Sequence, residues 1–341
     1  MSLLVELNGD DKDPPPYFAE LATYNWPLAI YSEIVNHYGP THLGWKTHLE
    51  QFYLNSPHSP PNDVTERRIF QKIFHSICLG ISIRTKFERA YFNHHDIVGT
   101  ISDFYYSVYN SAISIALQRN IGEKDAHGKN ISIFNSHKQF FPYPFNIHTT
   151  FEAARWNNRI LINQDHFDYV LPGHRTLTGT SNELINRNHH SQLIGSGASQ
   201  DILLGYLRGT VDWYIWKDSV KFKKEKRIAR LNRQADKDLL NNQLKKTHIT
   251  FLNCLYRYRT KAHYRDFLYL TYNYVDDRGQ VNNQMDIHLY KYLFTISEYL
   301  TMTTIAHCKK RLGAAKTKLY LQEISSQIKG PGLDKYWELF I

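Results

Sequence analysis

The chain has 341 residues and a mass of 40.2 kDa, enough to bury a sizeable core and too much for a disulfide-stapled miniprotein. Hydrophobic residues make up 42% and charged residues 21%, with 17 Gly and 12 Pro, which excludes the disordered, collagenous and low-complexity classes. Lys and Arg outnumber Asp and Glu by 41 to 32, a net charge of +9 with 18 His counted as neutral, and this sign favours phosphate-bearing partners.

The first stretch, 1–13, is acidic through Glu6, Asp10, Asp11 and Asp13 and lacks the basic-then-apolar order of a secretion leader, so no export is expected. Cys78, Cys254 and Cys308 form no CxxC pair, which argues against a disulfide framework or a cysteine zinc site and makes a reducing cytoplasm the simplest compartment. After Pro14, Pro15 and Pro16, the spacing of Leu28, Ile30, Ile34 and Val35 predicts a short helix over about 27–37. A second short element and a proline-rich loop, 56–61, complete an N-terminal helical and loop segment, 1–63.

Residues 64–138 read as the first part of a helical bundle. Asp63 or Thr65 can cap a helix that carries Ile69, Ile73, Phe74, Ile77, Leu79 and Ile81 toward Phe87. The next helix, about 96–119, places Ile97, Ile101, Phe104, Tyr105, Val108, Tyr109, Ile113 and Leu117 at spacings of three and four. His75, Ser76, Asp103, Ser107 and Asn110 interrupt these windows, which fall short of the roughly 20 apolar residues of a membrane span, so core helices and no membrane are expected.

Residues 139–200, rich in Asn, Gly, Pro, Thr and His, read as an irregular insertion or lobe with one or two short strands such as 159–162. The helical period returns over 201–341 through Leu204, Leu207, Val211, Trp213 and Trp216 and runs into a basic arm, 217–233. Further helices are expected at about 248–273, 285–312 and 314–326. The expected fold is therefore mainly α, a helical bundle with an irregular central insertion and a basic helical arm.

The arm holds Lys217, Lys221, Lys223, Lys224, Lys226, Arg227, Arg230 and Arg233 against Asp218 and Glu225, an excess of six of the chain's nine net charges. Cations along one surface displace condensed counterions from nucleic-acid phosphates, so Lys221, Lys223, Lys224, Lys226, Arg227, Arg230 and Arg233 are candidate nucleic-acid contacts. A solvated helix extension has the same composition. Downstream, Arg259, His263 and Asp266 stand at i, i+4 and i+7, so one helix face offers a guanidinium, an imidazole and a carboxylate. In catalysis the Asp would orient His263, the imidazole would move a proton, and Arg259 or Arg257 would stabilise a pentavalent phosphate. The alternative is a surface salt-bridge ladder.

The stretch SDFYYSVYNSAISIALQRN, 102–120, followed by DAHGKNISIFN, 125–135, resembles the second and third helices of HEPN (higher eukaryote and prokaryote nucleotide-binding) domains. There a helix with adjacent aromatic residues precedes a short polar loop and a helix opening near a His, a pattern that Tyr105, Tyr106, Ser107 and His127 match. The resemblance covers the helical parts of 64–135 and, more weakly, 201–312. It implies a helical bundle that is usually a homodimer, and in many members a metal-independent endoribonuclease with an Arg-x4-6-His motif acting in phage defence or toxin–antitoxin systems. Arg257 and His263 fit that motif beyond the aromatic helix. The resemblance equally implies a non-catalytic RNA-, DNA- or protein-binding subunit of a defence complex. RNA is the expected partner, with a homodimer or larger complex, and no cofactor.

A rival reading rests on NHHDIVGT, 93–100. His95 and Asp96 resemble the dyad of HD-domain phosphohydrolases, in which His and Asp hold divalent ions that activate water, and His75 would be the upstream ligand. Asp96 as an anion at a helix N-terminus is the plainer alternative. His166, His174, His189 and His190 fit no standard zinc spacing, and Gly195-Ser196-Gly197 lacks a phosphate-loop fingerprint.

Overall fold

Apolar residues recurring every three or four positions make this chain mostly helical. A computed structural model describes residues 16–56, 58–90, 96–124, 127–150, 159–162, 167–170, 198–228, 230, 232–245, 248–264 and 284–328. In chain order the elements are α1 (Pro16–Tyr38), α2 (His42–Phe52), α3 (Asp63–Ala90), α4 (Ile97–Gln118), α5 (His127–His137), a 3-10 turn (Lys138–Phe140), β1 (His148–Thr150), β2 (Arg159–Ile162), β3 (Phe167–Val170), α6 (Ala198–Lys226), α7 (Gln234–Lys245), β4 (His248–Thr250), α8 (Phe251–Tyr264), α9 (Gln284–Leu312) and α10 (Ala314–Gln327). No helix among the described residues is long and apolar enough to cross a membrane.

Helices α3, α4 and α9 pack together as the centre of the bundle; α1 and α6 lie along one another, and α8 leans on α4 and α6. The strands form one antiparallel sheet in the order β3-β2-β1-β4. His148, Thr149 and Thr150 face Thr250, Ile249 and His248, so the stretch after α5 is fastened to the chain just before α8.

Local chemistry sets the helix ends. Asp96 caps α4 by accepting a hydrogen bond from the Gly99 amide (2.9 Å), as its reading as a helix-start anion requires. Asn120, at φ 61°, closes α4 with amide bonds from Asn120 to the Leu117 carbonyl and from Ile121 to the Ala116 carbonyl, the paired bonds of a Schellman turn. Gly313, at φ 94°, separates α9 from α10.

Three sequence expectations change. The first helix does not start at Pro27 but runs through it from Pro16. An internal proline costs about 3 kcal/mol, yet Trp26, Leu28, Ala29 and Ile30 are all fully buried, and such side chains each return about 1.5–3 kcal/mol, Ala less. Residues 248–250 are a strand rather than the start of a helix, because Thr250 begins α8 as a cap: its amide and hydroxyl both donate to Asn253 Oδ1 (3.0 and 2.9 Å). Finally, the basic arm is not one helix. Helix α6 stops at Lys226, Arg227 takes a left-handed φ of 54°, and the Arg227 and Ile228 amides turn back to the Lys224 and Lys223 carbonyls.

The α3/α4/α9 contact is lined by small hydroxyl side chains. Ser76 Oγ lies 2.8 Å from Ser111 Oγ, 2.9 Å from Thr301 Oγ1 and 3.1 Å from Ser107 Oγ, and it donates to the Ser107 carbonyl at 3.0 Å. Ser107 Oγ bonds in turn to Ser297 Oγ, and Thr304 Oγ1 donates to the Ser111 carbonyl (3.2 Å). All of these residues are buried, so small size lets the backbones approach and mutual hydrogen bonding covers the cost of enclosing the hydroxyls. Flanking salt bridges, Lys86 with Asp96 and Asp103 and Lys72 with Glu123, fasten the α3–α4 pair at its rim.

Ser76→Val should cost about 3 kcal/mol or more, from orphaned hydroxyls plus overpacking, whereas Ser76→Ala should cost about 1–2 kcal/mol. Urea denaturation checks this, and equal midpoints for the two variants would show that the seam does not depend on its polar hub.

Candidate functional site

Helix α8 carries two arginines two residues apart, and helical geometry sends them to nearly opposite sides. Arg257, 9% exposed, turns toward α6, where Nη1 donates to the Tyr206 carbonyl (3.4 Å) and Thr210 Oγ1 (3.3 Å) and the guanidinium lies 4.9 Å from the Tyr206 ring centre. Its Nε is buried without a hydrogen-bond partner. Gly209 makes the room, since a Cβ there would sit 3.0 Å from Arg257 Nη1.

Arg259 turns the other way, onto α4. Its guanidinium carbon lies 5.1 Å from the Tyr105 ring centre and 5.0 Å from that of Tyr106. It forms no ion pair with a described residue, and its Nε is buried and unpartnered. The cation is thus held on two aromatic faces with its hydrogen-bonding capacity unspent. Burial, foremost, pushes the Tyr105 phenol well up, so the ring stays neutral beneath the charge.

The rings continue sideways. Tyr105 is 6.3 Å from Tyr256, and Tyr256 is 6.2 Å from Trp213 on α6. At that end Lys217 Nζ lies 5.0 Å from Trp213, 5.2 Å from Tyr256 and 5.6 Å from Tyr214. Tyr106, Trp213, Tyr214, Tyr256 and Arg259 are all half-buried, and Lys217 is exposed. The result is an aromatic band across α4, α8 and α6 with a cation near each end.

From Lys217 the charge continues up α6. Lys217, Lys221 and Lys224 stand at i, i+4 and i+7 and share one helix face, with exposed Lys226 and Arg227 at the turn and exposed Arg230 and Arg233 beyond it. Lys223 is half-buried. The exposed Lys221–Glu225 pair at 3.8 Å contributes little.

His263 falls in the last turn of α8, four residues after Arg259, but its side chain lies outside the described residues, as does the whole of Asp266. Helix α5 opens at His127, and Ser107 is spent inside the hydroxyl seam. For the metal reading, His75 is exposed on α3, His95 lies outside the described residues, and Asp96 is occupied by its cap bond and by Lys86 at 3.0 Å. No group of three or more His, Cys, Asp or Glu among the described residues could hold a metal ion. Burial pushes the Cys254 and Cys308 thiols up to about 12, so neither is poised as a nucleophile. His166, His174, His189, His190 and residues 195–197 lie outside the described residues.

Sequence reading passed over Trp213 and Tyr256 as members of the band. A local signal was present: each aromatic precedes a cation on its own helix, Trp213 before Lys217 and Tyr256 before Arg259, at the spacings that bring helical side chains together. Comparisons of the chain with family models, with curated proteins and with solved structures returned no match.

Half-buried His48 and His148 and fully buried His307 are held toward the neutral form. His48 is lowered to about 4 by burial and then by the charge of His37; His148 is lowered to about 4 by burial, with Lys138 and His248 adding to it. His307 is held well below the ordinary range by burial and by Arg119 and Arg311. The unfolded chain therefore takes up protons below about pH 6.5 that the native chain refuses, so stability is complete above that pH and falls as pH drops toward 4. Glu298, raised by burial, works in the opposite direction. Urea midpoints measured from pH 7 to pH 4 should fall, by at most about 1.4 kcal/mol per pH unit for each histidine. His48 Nε2 is buried without a partner, so His48→Phe should flatten that slope; an unchanged slope would remove His48 from the account.

A matched pair tests the Arg257 seat. Gly80→Ala, whose Cβ would meet Ser297 Oγ at an ordinary 3.6 Å, should stabilise by about 0.5–1 kcal/mol, as Gly to Ala does in helices. Gly209→Ala should instead destabilise by about 1–3 kcal/mol, because the buried guanidinium must move; two stabilising results in urea denaturation would refute the seat.

Proposed function

We propose that this chain binds single-stranded nucleic acid, RNA ahead of DNA, on the aromatic band. The observation that carries the reading is the pairing of Lys217 and Arg259, two cations without a carboxylate partner among the described residues, with the half-buried rings of Tyr106, Tyr256 and Trp213. Bases stack on aromatic faces at about 1–3 kcal/mol each, and unpaired cations beside the rings meet the phosphates. The Lys217, Lys221 and Lys224 row extends the path along α6 toward Arg227.

A second reading keeps the HEPN resemblance and makes the chain a metal-independent endoribonuclease of a defence or toxin–antitoxin system. It is supported by one juxtaposition: the Tyr105–Tyr106 pair of the aromatic helix touches the helix that carries Arg257, Arg259 and His263. The inward turn of Arg257 favours the binding role, since that guanidinium is committed to α6. In this reading the protein is a binding subunit, working as a homodimer or inside a larger complex.

Fluorescence anisotropy with single-stranded RNA and DNA oligonucleotides across a salt series tests the proposal. Affinity should fall with salt, Tyr106→Ala and Trp213→Ala should each weaken binding by roughly five- to a hundredfold, and reversing Lys223, Lys224, Arg227 and Arg230 should flatten the salt slope. Wild-type binding by all variants would sink the interface. Total RNA incubated with and without EDTA separates the two readings: cleavage that survives chelation and disappears in His263→Ala favours the endoribonuclease, and intact RNA favours the binding subunit.

A further inference from the structure

A second set of basic side chains gathers where α5 ends against the small sheet. His148 on β1 faces Thr250 on β4 and Thr150 faces His248, so the two histidines share one face as diagonal cross-strand neighbours, roughly 7–8 Å apart. Asn135 pins the end of α5 to the same strand. Its Nδ2 donates to the His248 carbonyl (2.9 Å), and Thr250 Oγ1 donates to its Oδ1 (2.8 Å). Lys138, the first residue of the 3-10 turn, donates Nζ to the Asn135 carbonyl (2.9 Å), which sets the ammonium near both imidazoles.

The half-buried lysines Lys72 and Lys86 each meet a carboxylate, Glu123 for the first and Asp96 with Asp103 for the second. Half-buried Lys138, half-buried His148 and exposed His248 form no ion pair with a described residue. Burial foremost, and then the charge of Lys138, lowers the proton affinity of both imidazoles, and burial lowers that of Lys138 itself. Three basic groups that hinder one another's protonation favour an incoming anion and disfavour a metal cation.

His148 is held in one tautomer. Its Nδ1 lies 3.0 Å from the Asn146 carbonyl, an atom that can only accept, so Nδ1 carries the proton and Nε2 is a bare acceptor in the neutral ring. Lys138 keeps two N–H donors beyond the one given to Asn135. The cluster therefore presents an acceptor beside an ammonium, a mixed set that a fully deprotonated anion does not match. Asn146 is 1% exposed, and neither atom of its side-chain amide has a hydrogen-bond partner. Buried amides are rarely left unbonded, and this one belongs to the residue whose carbonyl orients His148.

We propose that Lys138, His148 and His248 bind a phosphate group that still carries a proton, as inorganic phosphate or a phosphate monoester does near neutral pH. Lys138 donates to its charged oxygens, His148 Nε2 accepts the P–O–H hydrogen, and exposed His248 stands on the solvent side. Sulfate has the same tetrahedral shape but is fully ionised at neutral pH, so it brings no hydrogen for Nε2. A phosphodiester within a strand lacks that hydrogen as well. Free phosphate and the terminal phosphate of a nucleic-acid strand both present the required group. The site uses no residue of the aromatic band, so failure of either proposal leaves the other standing.

The test is isothermal titration of the full chain with inorganic phosphate and with sulfate at pH 7 and constant ionic strength in chloride. The wild type should prefer phosphate by about tenfold or more, because a sulfate oxygen leaves the half-buried acceptor unmatched. Lys138→Gln should lose at least about tenfold in phosphate affinity, the loss of a charge-assisted donor. His148→Gln, whose amide turns to offer a donor or an acceptor, should erase most of the preference over sulfate. His248→Gln changes an exposed residue, so it should lose several-fold and serves if a variant of the half-buried pair fails to fold. Anisotropy with 5′-phosphorylated and 5′-hydroxyl oligonucleotides of one sequence separates the sources. A Lys138-dependent preference for the 5′-phosphate assigns the site to a strand end, and phosphate binding without that preference assigns it to the free ion. Absence of phosphate binding by the wild type, equal wild-type affinities for phosphate and sulfate, or unchanged phosphate affinity in Lys138→Gln and His248→Gln would overturn the proposal.

Discussion

The architecture depends on how closely α3, α4 and α9 approach, and that approach depends on hydroxyls which are small enough to fit and able to satisfy one another. Ser76 stands at the junction, bonded to α4 through Ser107 and Ser111 and to α9 through Thr301. Bulky apolar side chains would hold the helices apart, and unpaired polar ones would make the enclosure unfavourable. Once the three helices are set, Phe104 and Tyr105 on α4 have a fixed surface on which α8 and its aromatic residues pack, and the ring arrangement around Tyr256 and Trp213 follows. The polar interruptions that keep the α3 and α4 sequences from reading as membrane spans are in part the residues that make this seam.

Charge is distributed unevenly around that core. At the α3–α4 rim cations and carboxylates are matched, Lys86 serving two acids and Lys72 one, and Lys316 of α10 likewise meets Glu66 of α3. Around α8 and at the end of α4, guanidiniums rest instead on aromatic rings, Arg257 on Tyr206, Arg259 on Tyr105 and Tyr106, and Arg119 on Phe140. An aromatic face stabilises a cation without neutralising it, so the field remains available to an incoming anion. A carboxylate in the same place would have cancelled it. This difference, more than the total charge of +9, is why the proposed nucleic-acid surface falls where it does.

Much of the helical layout was legible in the sequence. Asp96 before Ile97 and Gly313 between two periodic runs mark their boundaries by local chemistry, and the strand at Arg159–Ile162 lies where its apolar run suggested. Pro27 was misleading because its local cost is outweighed by the burial of its neighbours, which depends on rings from α6 and α8 that stack on Trp26. Residues 248–250 read as helix because their partner strand lies a hundred residues upstream, at His148–Thr150. The basic arm looked continuous because composition carries no record of a left-handed residue at Arg227.

The candidate site divides in the same way. Sequence alone determined that Arg257 and Arg259 share a helix, that the excess cations concentrate over 217–233, and that the chain is mainly helical, because composition and helical periodicity are local properties. Only the tertiary structure decided which arginine is enclosed and which lies open on tyrosines, and that His307 locks Arg119 against Phe140 from a helix 188 positions away in the chain. Burial, ring stacking and the absence of a countercharge are properties of neighbours in space, and spacing along the chain does not encode them.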